Sequence, residues 1–165
     1  MFSLNQALIM ELQYEAGSTR KMLEKVPMDK ADWKPHEKSM TLARLTAHVA
    51  ELSGWVTMTM NTSELDFATF DYKPYIPTTT EELLAFHDKS VADAVASLEK
   101  ASMEDFMQMW TMRRGEQVFF TLPKMAVLRT WAYNHMVHHR GQLSVYLRLL
   151  DVPVPGMYGP SADGV

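Results

Sequence analysis

The sequence predicts an all-α fold, a four-helix bundle, and three observations carry that expectation. Four long segments repeat apolar residues every three to four positions, which is the period of a helix with one buried face. Prolines and capping residues punctuate those segments at their ends. The 165 residues contain no internal repeat, low-complexity stretch or linker, so they read as a single domain over 1–165, long enough to close its own core.

The first helix is expected from about Leu4 to Lys25, with Leu8, Leu12, Glu15/Ala16, Thr19 and Leu23 near one stripe. Pro27 closes it, because proline supplies no N–H to the helical ladder. Residues 29–39 hold Trp33 and Pro35 and read as a connector. The second helix starts near Thr41, a residue able to cap free N–H groups, and repeats Leu42, Leu45, Val49, Leu52 and Val56 to about Met60. Residues 62–80 carry Pro74, Pro77 and several aromatics, and read as a long ordered connection without regular structure.

Thr78, Thr79 and Thr80 followed by Glu81 and Glu82 mark the start of the third helix: a capping threonine, then acids where the helix dipole favours them. It runs to about Lys100. Residues 109–122, MWTMRRGEQVFFTL, have a central glycine with β-formers behind it, and read as a small hairpin or a short extended excursion. The fourth helix opens at Pro123, runs through Leu128, Trp131, His135, His138/His139, Gln142, Val145/Tyr146 and Leu149, with His135 and His139 on the inward stripe that also carries Leu128, Trp131 and Tyr146, and stops at Asp151–Pro153.

Composition narrows the function. Charged residues are 22% of the chain and the net charge is −4, with no lysine–arginine cluster beyond pairs such as Arg113–Arg114, so a nucleic-acid partner is not expected. No apolar run approaches the roughly 20 residues that span a bilayer, and the N-terminal segment lacks a signal-peptide pattern. The expectation is a cytoplasmic protein with no membrane partner. The absence of cysteine removes disulfides, thiolate ligands and a protein thiol nucleophile. The 14 methionines read as flexible fillers of a helical core.

The histidines carry the chemical signal. His135 and His139 are four residues apart, so their rings leave one helix face one turn apart, a spacing at which two imidazoles can share an ion. His48 lies between Leu45 and Leu52 on the apolar side of the second helix, and bundles build metal sites from facing helices. Three neutral nitrogen donors suit zinc, nickel, iron or copper and not calcium or magnesium. Periodicity alone still leaves the commoner alternative open, hydrogen-bonded core histidines with no ion. His36 and His87 are expected on the surface or in loops, and His138 beside the ligand pair or packed on a neighbouring helix.

The string NHMVHHRGQLSVYLRLL, Asn134 to Leu150, resembles the C-terminal signature of the DinB/YfiT-like superfamily, and TLARLTAHVAEL, Thr41 to Leu52, is similar to its second helix. The resemblance spans nearly the whole chain. It implies an up-down-down-up four-helix bundle, a divalent transition metal ion (zinc or nickel foremost, then iron) held by His48, His135 and His139, and a homodimer. It also implies a place among proteins that include thiol-dependent transferases, such as bacillithiol S-transferases and a mycothiol-dependent maleylpyruvate isomerase, beside many known only as damage-inducible proteins.

Three protein ligands leave a coordination position open, the arrangement of a reactive site rather than a structural one. The functional expectation is therefore a metal-dependent S-transferase using a low-molecular-weight thiol, or a hydrolase using water. The alternative is a non-catalytic metal-binding or stress-induced dimer. Glu51, one turn beyond His48, is a candidate to act in the site, to orient a ligand or to pair with Arg140; an ordinary helix-face carboxylate is the plain alternative. Gln142 is a candidate at the rim, Arg140 reads as a brace between helices, and Tyr146 and Trp131 as core.

Overall fold

The computed structural model describes residues 3–164, so the ends of the expected 1–165 domain lie outside it. Helix α1 (Leu4–Leu23) begins with a reciprocal cap: Ser3 Oγ accepts the Gln6 N–H while Gln6 Oε1 accepts the Ser3 N–H. Its buried residues include Leu8, Leu12, Ala16, Thr19 and Leu23, the expected stripe. Helix α2 (Leu42–Glu51) is capped by Thr41, whose hydroxyl accepts the Arg44 N–H. Helix α3 (Gly54–Asn61) follows almost at once. Between them Trp55 and Val56 donate three residues back, to Leu52 and Ser53. The expected second helix is thus two helices joined by one tightened turn at a Ser–Gly pair, a known site of helix kinking.

The all-α expectation is overturned by a three-stranded mixed sheet that takes 10% of the chain. Strand β1 (Glu64–Asp66) runs parallel to β2 (Met109–Arg114), which pairs antiparallel with β3 (Gln117–Pro123). The hairpin reading of 109–122 is the one the structure takes, and its turn needs Gly115, whose φ of +56° disfavours any side chain. The Asp66 carboxylate ties β1 to this turn by accepting the Gly115 and Ala68 N–H groups and pairing with Arg113. Those donors hold it below the usual carboxylate range, the Gly115 N–H foremost. Beneath the sheet a satellite core forms from Leu65, Trp110, Met112 and Val127.

Helix α4 (Thr80–Lys100) is capped by Thr79 and packs against α1, α2 and α3. His87 is a further correction: it lies within α4, 1% exposed, with Nε2 at 3.2 Å from the Ala16 carbonyl, not on the surface. Burial pushes its pKa down, so it stays neutral. A short helix α5 (Met103–Met107) leads into β2.

After β3 the chain becomes one long helical stretch: α6 (Lys124–Val127), a π-helical segment at 128–133, and α7 (Asn134–Leu149). Pro123 sits just outside it, as the last residue of β3. The π segment shifts the helix phase. Leu128, Ala132 and Tyr133 are buried within it, and Met136, Arg140, Leu143, Tyr146 and Leu147 after it. Of the expected inward stripe Leu128 and Tyr146 are buried, while Ala132, Met136 and Arg140, each one residue on, take the buried places expected of Trp131, His135 and His139, and Leu149 is exposed. Among the described residues no helix is long and apolar enough to cross a membrane.

Candidate metal centre

His48 on α2 and His135 and His139 on α7 meet at the edge of the bundle. Leu45, Val49 and Leu52 anchor the inward face of α2, and Met136, Arg140 and Leu143 that of α7, so each histidine stands one position off a fully buried residue. The π segment places this face. Without its extra residue, the stripe continuing from Leu128 would turn the ring of His135 inward, away from the rim. The His48 side chain is 12% exposed, and His135 and His139 are half-buried, which leaves the cluster a way out to solvent.

The three rings offer nitrogens that all lie within 4.8 Å of one another. His48 Nε2 is 3.4 Å from His135 Nε2, which is 2.8 Å from His139 Nε2. Nitrogens bonded to one ion at about 2.0–2.1 Å stand about 3.3 Å apart at tetrahedral angles and about 2.9 Å at right angles. The two closer spacings match that pair of values and the third lies within 4.8 Å, so the three nitrogens could hold one transition metal ion.

Neighbours fix the tautomers. His48 Nδ1–H donates to Glu51 Oε1 at 2.6 Å, and His139 Nδ1–H donates to Gln142 Oε1 at 2.7 Å. Both rings therefore turn an Nε2 lone pair toward the shared point, an arrangement that needs a proton or a cation between them. His135 Nδ1 is buried and makes no hydrogen bond, so that ring can shift its proton to Nδ1 when Nε2 is taken. Burial, followed by the neighbouring His139 and His48, pushes His135 down to about 4. Burial is also the main cause of the lowered pKa of His139. Both are neutral donors near pH 7.

Around the histidines runs a second set of contacts. Glu51 Oε1 also accepts from the Tyr72 hydroxyl at 2.5 Å, and Arg44 Nη2 donates to the same hydroxyl at 2.8 Å while lying 3.6 Å from Glu51. Burial and the Glu51 carboxylate push Tyr72 up to about 12, so it remains a phenol and a donor. Gln142 Nε2 lies 3.1 Å from His138 Nε2, which links exposed His138 to the cluster at one remove.

Of the residues singled out from sequence, Glu51 and Gln142 touch the histidines, and His138 touches Gln142. Arg140 stands apart: 3% exposed, it binds Glu15, Thr19 and Tyr158, and so braces α7 on α1 rather than pairing with Glu51. Tyr146 is buried core, and Trp131 packs on Trp55 with ring centres 4.4 Å apart. Arg44 and Tyr72 were not expected. Arg44 is legible in retrospect, since Arg44, His48 and Glu51 repeat at four and three residues on one helix face; Tyr72 sits in an irregular connection and carries no such signal.

Known proteins resemble this chain along its length. The model of the DinB family matches residues 1–164. "Uncharacterized protein YrdA" of Bacillus subtilis (strain 168) is 24% identical over 166 residues, covering 99% of this chain and 93% of that protein. A DinB-like protein from Bacillus cereus ATCC 10987 superposes with a TM-score of 0.70 at 24% identity, covering 92% of this chain and 95% of its own. The DinB-like protein YjoA of Bacillus subtilis gives 0.68 at 20% identity, with 89% and 95% covered. These likenesses speak to the fold.

Proposed function

The chain belongs to the DinB family, and from that premise we propose that it is a metal-dependent enzyme, one domain over 1–165, whose ion is held by His48, His135 and His139. The observation that carries this reading is the convergence of three Nε2 atoms, two of them fixed as lone-pair donors by Glu51 and Gln142. Neutral imidazoles select zinc or nickel, then iron, over calcium and magnesium. A divalent ion there would make a thiol or a water acidic enough to lose its proton near neutral pH.

The chain has no cysteine, so in the transferase reading the sulfur comes from a low-molecular-weight thiol. Its S–H proton leaves to solvent, the sulfur forms a bond to the electrophilic carbon, and the leaving group departs with the bonding pair. Glu51 and Gln142 serve this site as positioning residues, because each holds a ligand imidazole by Nδ1. The hydrolase reading uses the same ligands with water in place of the thiol. The exposed apolar residues Val137, Val145 and Leu149 on α7 support a homodimer.

The test is thiol consumption by metal-loaded protein, with a panel of small thiols and electrophiles, against a chelator-treated control. Turnover that disappears with the metal and returns with it supports the transferase. If fully metallated protein turns over no thiol and no ester or amide, the second reading takes its place: a metal-binding protein without catalysis. That reading draws its support from the same histidines.

A further inference from the structure

The connection from β1 to α4 touches the metal centre with little of its own to hold it in place. Its first turn is closed by the Thr69 and Phe70 N–H groups on the Asp66 carbonyl, and its end by the Thr78 N–H on the Glu82 carboxylate. Between them, residues 73–77 make no backbone hydrogen bond to any described residue, and Pro74 and Pro77 have no N–H to donate. Phe70, Tyr72, Tyr75 and Ile76 are exposed, and Phe70 and Tyr72 share an open cleft with Trp55 and Met58 of α3. Few buried contacts and an unbonded backbone mark a segment that opens readily.

Two aromatic side chains fasten it. Tyr75 meets Phe86 of α4 edge to face, with ring centres 5.1 Å apart. Tyr72 reaches α2: its hydroxyl donates to Glu51 Oε1 at 2.5 Å and accepts from Arg44 Nη2 at 2.8 Å. The same Glu51 oxygen accepts the His48 Nδ1–H at 2.6 Å. One atom therefore fastens the connection and holds His48.

The phenol also keeps Arg44 from closing on Glu51. Their nearest charged atoms are 3.6 Å apart, and among the described residues the Tyr72 hydroxyl is the one hydrogen-bond partner of the Arg44 side chain. With Tyr72 withdrawn, the guanidinium is free to pair with the carboxylate and to draw Oε1 and its charge away from His48 Nδ1–H. The imidazole is then less firmly oriented and a weaker base at Nε2.

We propose that residues 71–77 form a strap latched by Tyr72, and that closure of the strap and occupation of the histidine centre by a metal ion favour each other. Tyr72 is a positioning residue that acts on His48 through Glu51. The inference rests on the reading of His48 as a metal ligand. Linkage makes the effect reciprocal: the factor by which the latch raises metal affinity equals the factor by which the metal favours the closed strap. A coupling carried by one shared acceptor belongs at the low end of the usual range, about fivefold.

The experiment is chymotrypsin cleavage after Phe70 in the full-length protein, zinc-loaded against chelator-treated, followed by mass spectrometry with zinc content measured on each sample. Zinc should slow that cleavage in wild type by about fivefold, because cleavage follows the population of the open strap. Tyr72→Phe keeps the ring and removes the hydroxyl. It should be cut faster in both states, show a zinc effect below about twofold, and bind zinc about fivefold more weakly. Tyr75→Ala frees the strap from α4 and leaves Glu51 untouched, so it should be cut faster and keep the full zinc effect. Wild type that carries a full zinc equivalent yet is cut as fast as the chelator-treated protein overturns the latch and leaves the metal reading standing. So does a zinc effect that survives Tyr72→Phe undiminished. Wild type that takes up no zinc overturns both.

Discussion

Replacing Glu51 by Gln tests whether the site is built around the orientation and basicity of His48. The carboxylate has one oxygen serving three partners: His48 Nδ1–H at 2.6 Å, the Tyr72 hydroxyl at 2.5 Å and Arg44 at 3.6 Å. The amide keeps the shape and one acceptor but removes the charge. An ion on His48 Nε2 would stand about 6–7 Å from that charge, across the ring. The attraction of a divalent ion and a unit charge at that distance is about 5 kcal/mol at an effective dielectric of 20 and about 1.3 kcal/mol in bulk water. Glu51 is 12% exposed and Arg44 already offsets part of its charge, so the lower half of that range applies. Zinc affinity should fall by about 10- to 100-fold, the scale at which loss of a ligand's carboxylate partner is felt. Competition against a chromophoric chelator at pH 7.5 measures it. Tyr72→Phe, which removes one donor to Glu51 and leaves the charge, should weaken binding less than Glu51→Gln does. If Glu51→Gln and Glu51→Ala both bind zinc within twofold of wild type, the orienting role assigned to Glu51 is wrong.

Other expectations concern the frame around the site. Arg140→Ala leaves Glu15 (13% exposed) facing an empty, buried position and should destabilise the protein by about 3–5 kcal/mol, read as a large fall in thermal midpoint. An unchanged midpoint would refute its role as a brace. His87, neutral because burial lowers its folded pKa, binds protons more readily in the unfolded chain; its contribution is intact above about pH 6.5 and is lost as pH falls below that value. His87→Gln should therefore flatten the decline in stability below about pH 6.5, and chemical denaturation at a series of pH values under that point measures the slope. An unaltered slope would show that His87 takes no part. Gly115→Val should loosen the hairpin by about 1–2 kcal/mol, because φ of +56° crowds a β-branched side chain; proteolysis within 109–123 would report it.

How much could be read in advance differs from element to element. Helices α1 and α4 were legible because local signals set them: apolar stripes of helical period in both, and a capping threonine before α4. The histidine cluster was legible in part because a four-residue spacing on a helix survives in the sequence, although only the family-like string pointed to a metal rather than to core histidines. Strand β1 was not. Glu64–Asp66 has no strand composition, and it becomes a strand by pairing with residues 111–113, more than forty positions away. The π segment was equally hidden, because nothing in LRTWAY announces an extra residue per turn, and a continuous 3.6-residue count then misplaced the inward face of α7. His87 was misread because a lone polar residue inside an amphipathic pattern looks exposed. Its burial depends on a carbonyl of another helix, Ala16. Tyr72 enters the site through a contact that only the folded connection creates.

The central claim, that His48, His135 and His139 bind one metal ion, is met most directly by elemental analysis of protein purified without added metal or chelator, wild type beside His135→Ala. Wild type should carry about one equivalent of zinc, nickel or iron per chain. The variant should carry a small fraction of that while keeping its helical circular dichroism, because His135 is half-buried at the rim rather than in the core. A folded His135→Ala protein that retains a full equivalent would contradict the claim.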